Sequence, residues 1–287
     1  MTEKISPYLK SLLHLPSIRL QYIDETKNAT TVNYNDPLME DSHEVVKGLI
    51  HKYTHRALIK VSYQCAAHCR FCTRIRQIGH PEGRLQEDDI DAIAQYLSLH
   101  PEIDEVILSG GDPFYTPQTT KQIIEKCQAI DSIKTWRIGT RLPLQSPISM
   151  DSKLVKELEA CIQQLAAQKP FFILLHVEHP DELTNDALRV IQHLRTLGVT
   201  LLSQTVFLKG INDEYEILVS LFKSLYHIGV IPYYLYRCDR VKGLEAFYAD
   251  PQKEKEIAIK LRQHLSGIAC PLFVEDIENG YGKIPVM

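Results

Sequence analysis

Several features are missing from this 287-residue chain, and each absence removes a class of function. No apolar run approaches the ~20 residues needed to cross a bilayer, and the opening residues, Met1 to Tyr8, lack the long apolar stretch of an export signal. Basic charge is not in excess. The formal net charge is −4 and the pI about 6.3, so no general attraction to nucleic acid or an anionic membrane is expected. Low-complexity tracts and short-period repeats are absent too, which argues against a repeat architecture. What is present is a 44% hydrophobic composition, enough to bury the core of one large domain or two small ones.

A disulfide framework is also missing. The seven cysteines are odd in number, and Cys127, Cys161, Cys238 and Cys270 are scattered. The other three, Cys65, Cys69 and Cys72, fall in the run Cys-Ala-Ala-His-Cys-Arg-Phe-Cys. Three thiolates on one tight loop can hold three irons of a four-iron cluster and leave the fourth iron without a protein ligand. Zinc is the competing reading, but it usually takes two separated cysteine or Cys/His pairs, and no second pair follows. An open corner points to a bound substrate or cofactor. Clustered thiols without an export signal fit a reducing cytoplasm.

This Cys-x3-Cys-x2-Cys spacing resembles that of the radical S-adenosylmethionine (radical SAM) superfamily. The resemblance implies that the open iron chelates the amino and carboxylate groups of S-adenosylmethionine. One electron from the cluster then cleaves the sulfonium to a 5'-deoxyadenosyl radical.

From about residue 57, short β-rich runs alternate with amphipathic ones. Residues 57–63, 105–109, 136–139, 171–177, 200–207 and 231–235 read as strands. Residues 87–99, 117–129, 151–168, 184–197 and 213–228 carry apolar side chains at helical spacing, and a last helix is expected over 250–265. Such alternation predicts a parallel sheet wrapped by helices, either an open doubly wound sheet or a partial (β/α)6 TIM-like barrel. In both, ligands gather at the C-terminal strand ends. The cysteine loop, Ser109-Gly110-Gly111-Asp112, Arg141, His176, Gln204 and Asp239 all fall at or near that rim, which predicts one active site. Residues 1–56, polar and holding Pro7, Pro16 and Pro37, read as a helical and loop region packed across the barrel. The expected division is an N-terminal region 1–50, a core barrel 51–249, and a C-terminal helix and tail 250–287.

The tail contains Asn279-Gly280-Tyr281-Gly282-Lys283-Ile284-Pro285, where a lysine displayed among glycines can act as a carbonyl-capturing amine. Together with Gly-Leu-Ile-His-Lys-Tyr, Cys-Arg-Phe-Cys-Thr-Arg, Leu-Ser-Gly-Gly-Asp-Pro, Arg-Ile-Gly-Thr-Arg-Leu-Pro and Pro-Tyr-Tyr-Leu-Tyr-Arg-Cys-Asp, in that order over residues 48–287, the chain resembles the lysine 2,3-aminomutase family of radical SAM enzymes. The resemblance implies the barrel, and three cofactors: a [4Fe–4S] cluster on Cys65, Cys69 and Cys72, S-adenosylmethionine, and pyridoxal 5'-phosphate (PLP) on Lys283. Ser109, Gly110, Gly111, Asp112 and Gln204 match positions near S-adenosylmethionine. Tyr53 and Arg56 match positions around the PLP phosphate, with Lys52 where relatives often have arginine. Arg74 matches the arginine that pairs with the substrate carboxylate, and Asp239 and Asp276 the acids that receive the distal ammonium of lysine. Glu178 stands where relatives usually have asparagine, which predicts altered contacts beside PLP.

The activity this implies is transfer of the α-amino group of L-lysine, or a similar basic amino acid, to the β-carbon. The partners implied are a small amino acid and an electron donor such as flavodoxin or ferredoxin, with a homo-oligomer left open. No zinc, nucleic acid or membrane is expected. The alternatives are a lysine aminomutase serving elongation factor P and, from another class, a radical SAM methyltransferase or sulfur-inserting enzyme. The second would call for an extra cluster, a methyl-carrying cysteine or an RNA-binding domain, and a non-catalytic iron–sulfur module would have no use for Lys283, Arg74 and the aspartates together.

Overall fold

The computed structural model describes residues 4–24, 36–277 and 282–286. Two short helices, α1 (Pro7–Leu12) and α2 (Pro16–Tyr22), lead to a hairpin of β1 (Glu44–Val46) and β2 (Leu49–Tyr53). Strand and helix then alternate: β3 (Arg56–Ser62), α3 (Glu87–Leu99), β4 (Glu105–Gly110), α4 (Pro117–Cys127), β5 (Thr135–Thr140), α5 (Leu142–Gln145), α6 (Lys153–Ala166) and β6 (Phe171–His176). The alternation continues through α7 (Asn185–Arg195), β7 (Thr200–Phe207), α8 (Tyr215–His227), β8 (Ile231–Arg237), α9 (Pro251–His264) and β9 (Leu272–Ile277), and ends in β10 (Gly282–Pro285).

Local chemistry explains the boundaries. Ser152 caps α6 and Thr184 caps α7 through their side-chain oxygens. Asp250 does the same for α9, whose first residue is a proline with no N–H to waste. Along β5, Trp136 and Ile138 point outward and are fully buried against the helices, while Arg137 and Gly139 point inward. The same period of two runs through the neighbouring strands. Each fully buried Ile, Leu or Phe in this layer contributes roughly 1.5–3 kcal/mol.

All ten strands form one sheet in sequence order, parallel from β3 to β9, with antiparallel strands at both edges. Residues of β2 and β10 line the same cavity, so the sheet is rolled into a partial barrel. All six expected strands are present. The sheet is larger than expected at both ends: residues 1–56 include the β1–β2 hairpin, and the tail supplies β9 and β10. The N-terminal helices pack against the cysteine loop, through a small apolar cluster of Leu9, Ile18, Tyr22 and Ala67. Backbone bonds join His68 N to Lys4 O at 2.9 Å and Arg70 N to Gln21 O at 2.9 Å. Among the described residues no helix is long and apolar enough to cross a membrane.

Candidate active site

The cysteine loop leaves β3 and is clamped by the turn after β4. Gly111 N donates to Ser62 O at 2.6 Å, and Asp112 N to Gln64 O at 2.8 Å. This approach explains both glycines. A Cβ on Gly111 would lie 2.2 Å from Gln64 O, and one on Gly110, whose φ is +103°, would lie 2.7 Å from Ser62 O. The glycines thus make room for the loop that carries the thiols. The Asp112 carboxylate serves the scaffold as well: it accepts from Thr140 Oγ1 and from the backbone N–H groups of Phe114, Arg141 and Leu142. It fixes the turn after β5.

Cys65, Cys69 and Cys72 border a cavity of about 200 Å³ together with Ser109, Gly110 and Gln204. Burial, with Cys69 beside it, pushes the Cys72 thiol up to about 12, so a thiolate there needs a cationic partner such as a metal. Among the described residues no three His, Cys, Asp or Glu side chains are placed to hold a single metal ion. Three thiols on one loop at a shared cavity are a donor set that suits three irons of a cluster.

A second cavity, of about 270 Å³, adjoins the first, and Arg74, Ser109, His176, Gln204 and Asp239 line both. Its far side holds Lys52, Tyr53, Arg56, Arg137, Asp276 and Lys283. Lys283 faces Asp276 across the β9–β10 ladder, with Nζ 2.9 Å from Oδ2. The other oxygen of Asp276, Oδ1, is buried without a hydrogen-bond partner. The Arg56 guanidinium lies 4.1 Å from the Tyr53 ring centre, and Gly282, at φ +75°, passes close to both residues. Among the described ion pairs neither Arg56 nor Lys52 has a carboxylate; Lys52 Nζ donates to Leu38 O at 3.0 Å. Two uncompensated cations beside an amine suit an aldehyde cofactor with a phosphate.

Arg74 follows the cysteine loop and is gripped along one edge. Its Nε and Nη2 donate to Glu40 at 2.8 and 2.6 Å, and its Nη1 to Ser109 Oγ at 3.2 Å. Burial alone would raise the Glu40 carboxyl, but the Arg74 guanidinium holds it below the usual carboxylate range. Of the five guanidinium N–H groups, two remain for a ligand. Asp239 makes no ion pair with Arg240 or Lys242. Burial and the neighbouring Asp276 lift its carboxyl to about 7.

Every proposed site residue therefore borders one of the two cavities, and Asp112 does so with its carboxylate already committed. Glu178 lines neither; it is buried, accepting from Val206 N at 2.7 Å. The stretch Asn279-Gly280-Tyr281 lies outside the described residues. Among the lining residues that sequence reasoning did not single out are the charged residues Glu40 and Arg137 and the tyrosines Tyr234 and Tyr236. Arg137 pairs with Glu105 at 2.6 Å and points inward two residues before Gly139, so strict alternation along β5 was the signal for it. Glu40 lies in an irregular polar segment and offered none.

The sequence is similar to known proteins over nearly its whole length. Residues 59–222 match the radical SAM superfamily. The chain is 37% identical over 290 residues to an L-lysine 2,3-aminomutase from Fusobacterium nucleatum subsp. nucleatum, covering 99% of this chain and 67% of that protein. It is 36% identical to that of Clostridium subterminale, covering 99% and 68%. With that of Acetoanaerobium sticklandii it shares 34%, again over 99% and 68%.

Proposed function

Because this chain belongs to the lysine 2,3-aminomutase family of radical SAM enzymes, we propose that it is an isomerase moving the α-amino group of L-lysine to the β-carbon. The observation that carries this reading is the shared wall of the two cavities. The wall between the thiols and the space over Lys283 is one side chain deep and includes Arg74, Ser109, His176, Gln204 and Asp239, which border both cavities. When bound, the cluster with S-adenosylmethionine supplies a carbon radical, and PLP supplies a conjugated ring that carries the migrating nitrogen.

The residues divide the remaining work. Cys65, Cys69 and Cys72 hold three irons. Lys283 anchors PLP through its amine, and Lys52, Tyr53, Arg56 and Arg137 face the phosphate. Arg74 presents its two free N–H groups to the substrate carboxylate, while Glu40 and Ser109 hold the rest of the guanidinium still. At the other end Asp239 and Asp276 receive the distal ammonium. Asp276 has one oxygen on Lys283 and one without a partner, so it can meet a second ammonium without releasing the first. The surrounding strands keep water and stray hydrogen donors from the radical.

Anaerobic turnover of reduced, fully loaded protein with lysine, ornithine, arginine, glutamate, alanine and leucine tests the proposal. Lysine is expected to give the 3,6-diamino acid far faster than the uncharged or acidic residues react. Loaded protein that isomerises none of them would sink the reading.

Two finer outcomes are expected. A distal cation needs ionised Asp239, so lysine affinity should be high above pH 7 and fall as the pH drops through about 7, where the free carboxyl takes up its proton. In Asp239→Asn that inflection should vanish from the pH profile of lysine binding. Glu40→Gln keeps one bond to Arg74 and loses the paired charge, so KM for lysine should rise about tenfold with little change in kcat, from roughly 1.5 kcal/mol of lost charged hydrogen bonding. A lower KM instead would mean that Glu40 occupies the seat the substrate needs.

A further inference from the structure

Arg141 has no part in the chemistry so far. It is 5% exposed and lies behind the cysteine loop at the turn after β5. Its Nη1 donates to Cys69 Sγ at 3.0 Å. Gln145, four residues on and 2% exposed, reaches the same sulfur with Nε2 at 3.3 Å. Among the described contacts, the sulfurs of Cys65 and Cys72 accept from no side chain; Lys4 Nζ reaches the Cys65 carbonyl oxygen at 2.6 Å, and the backbone of Arg74 serves Cys72. The placement of Arg141 is overdetermined. Asp112 holds its backbone N–H at 2.7 Å, Glu182 takes Nη2 at 2.7 Å, and Gln21 of α2 accepts from the same nitrogen. Phe71, between two of the cysteines, lies under the guanidinium with its ring centre 5.0 Å away.

We infer that Arg141, seconded by Gln145, sets the reduction potential of the cluster through Cys69. This rests on the reading of Cys65, Cys69 and Cys72 as cluster ligands. Hydrogen bonds to a ligating sulfur and nearby positive charge both stabilise the form that has gained an electron, which raises the potential. Burial keeps solvent from screening the effect. The step concerned is a one-electron reduction: an external donor gives up one electron and the cluster takes it, with no bond broken in the protein. Arg141 is a positioning and tuning residue, because it touches a ligand sulfur and not the reacting atoms. Its tie to Gln21 also makes α2 part of the cluster's surroundings. This gives the N-terminal helices a chemical reason to pack where they do.

The test is a redox titration of anaerobically reconstituted full-length protein, followed by the EPR signal of the reduced cluster, with iron and sulfide measured in every sample. Arg141→Met should lower the midpoint by at least a tenfold change in the reduction equilibrium, about 59 mV for one electron. It should also slow reductive cleavage of S-adenosylmethionine at a fixed donor potential. Arg141→Lys, which keeps the charge without the fork, should recover most of the shift, and Gln145→Leu should show a smaller shift in the same direction. An unchanged midpoint in Arg141→Met at wild-type iron and sulfide would overturn the inference. Should Arg141→Met fail to take up iron, Gln145→Leu decides, a lowered midpoint supporting the inference and an unchanged one overturning it. Wild-type protein without a four-iron signal would overturn both this inference and the reading beneath it.

Discussion

Cys72→Ala is expected to give a folded protein that holds no four-iron cluster and cleaves no S-adenosylmethionine. The cost to the fold is small, since the change removes one sulfur from a partly buried loop residue, with the loss of a single weak contact from the backbone of Arg74. The cost to the site is complete. Two thiolates leave two irons without protein ligands, and the loop carries no replacement. One other thiol, Cys238, borders the same cavity, but it leaves from β8 and its Sγ points to Asp239 O at 3.8 Å. Iron, sulfide and 5'-deoxyadenosine measured beside the circular dichroism spectrum check the expectation. Wild-type iron and sulfide in Cys72→Ala would reject Cys72 as a ligand, and loss of that iron in Cys72→Ala/Cys238→Ala would identify Cys238 as the substitute.

Lys283→Gln should be as severe for the amino transfer while sparing the cluster. A glutamine amide can still donate to Asp276 Oδ2, so the β9–β10 ladder and the acid beneath it keep a partner. The nucleophilic amine is gone. Turnover of lysine should fall by a factor on the order of 10⁴ or more, the scale seen when one member of a covalent catalytic set is removed. PLP should still enter, held by Lys52, Tyr53, Arg56 and Arg137, but borohydride should no longer fix it to the chain. In the unaltered protein, peptide mapping after borohydride should find the adduct on Lys283. An adduct on any other lysine, or full activity in Lys283→Gln, would refute the assignment.

Much of this molecule was legible in its amino acids, and the parts that were not have a common cause. The inner strands, covered by helices on one face, carry strong apolar positions such as Ile138, Ile173 and Leu175, and their helices carry equally regular stripes. Both patterns survive translation into three dimensions. At the edges the pattern fails. β2 contains Lys52 and Tyr53, β9 contains Asp276, and β10 is a four-residue strand that begins with glycine and ends with proline. Side chains that must face a cavity are polar, and they erase the alternation by which a strand is recognised. The elements hardest to read are therefore those that supply the second cavity. The Ser109-Gly110-Gly111-Asp112 turn teaches the complementary lesson. Its position at the site was evident, but its packing was not, since only the folded chain brings Gln64 O within 2.2 Å of where a Gly111 side chain would begin.

The rolled sheet has one further consequence. Among the described strands β1 and β10 end the order without a ladder between them, yet Tyr53 and Arg56 stand on one side of the opening and Lys283 on the other. A molecule gripped by its phosphate on the first side and by its aldehyde carbon on the second would work as a clasp on an open bracelet. Its binding energy would then be shared by two distant stretches of the chain, tightening both margins at once, by about 2.7 kcal/mol at a hundredfold excess over Kd. The radical's vessel would be sealed by the same molecule whose chemistry it contains.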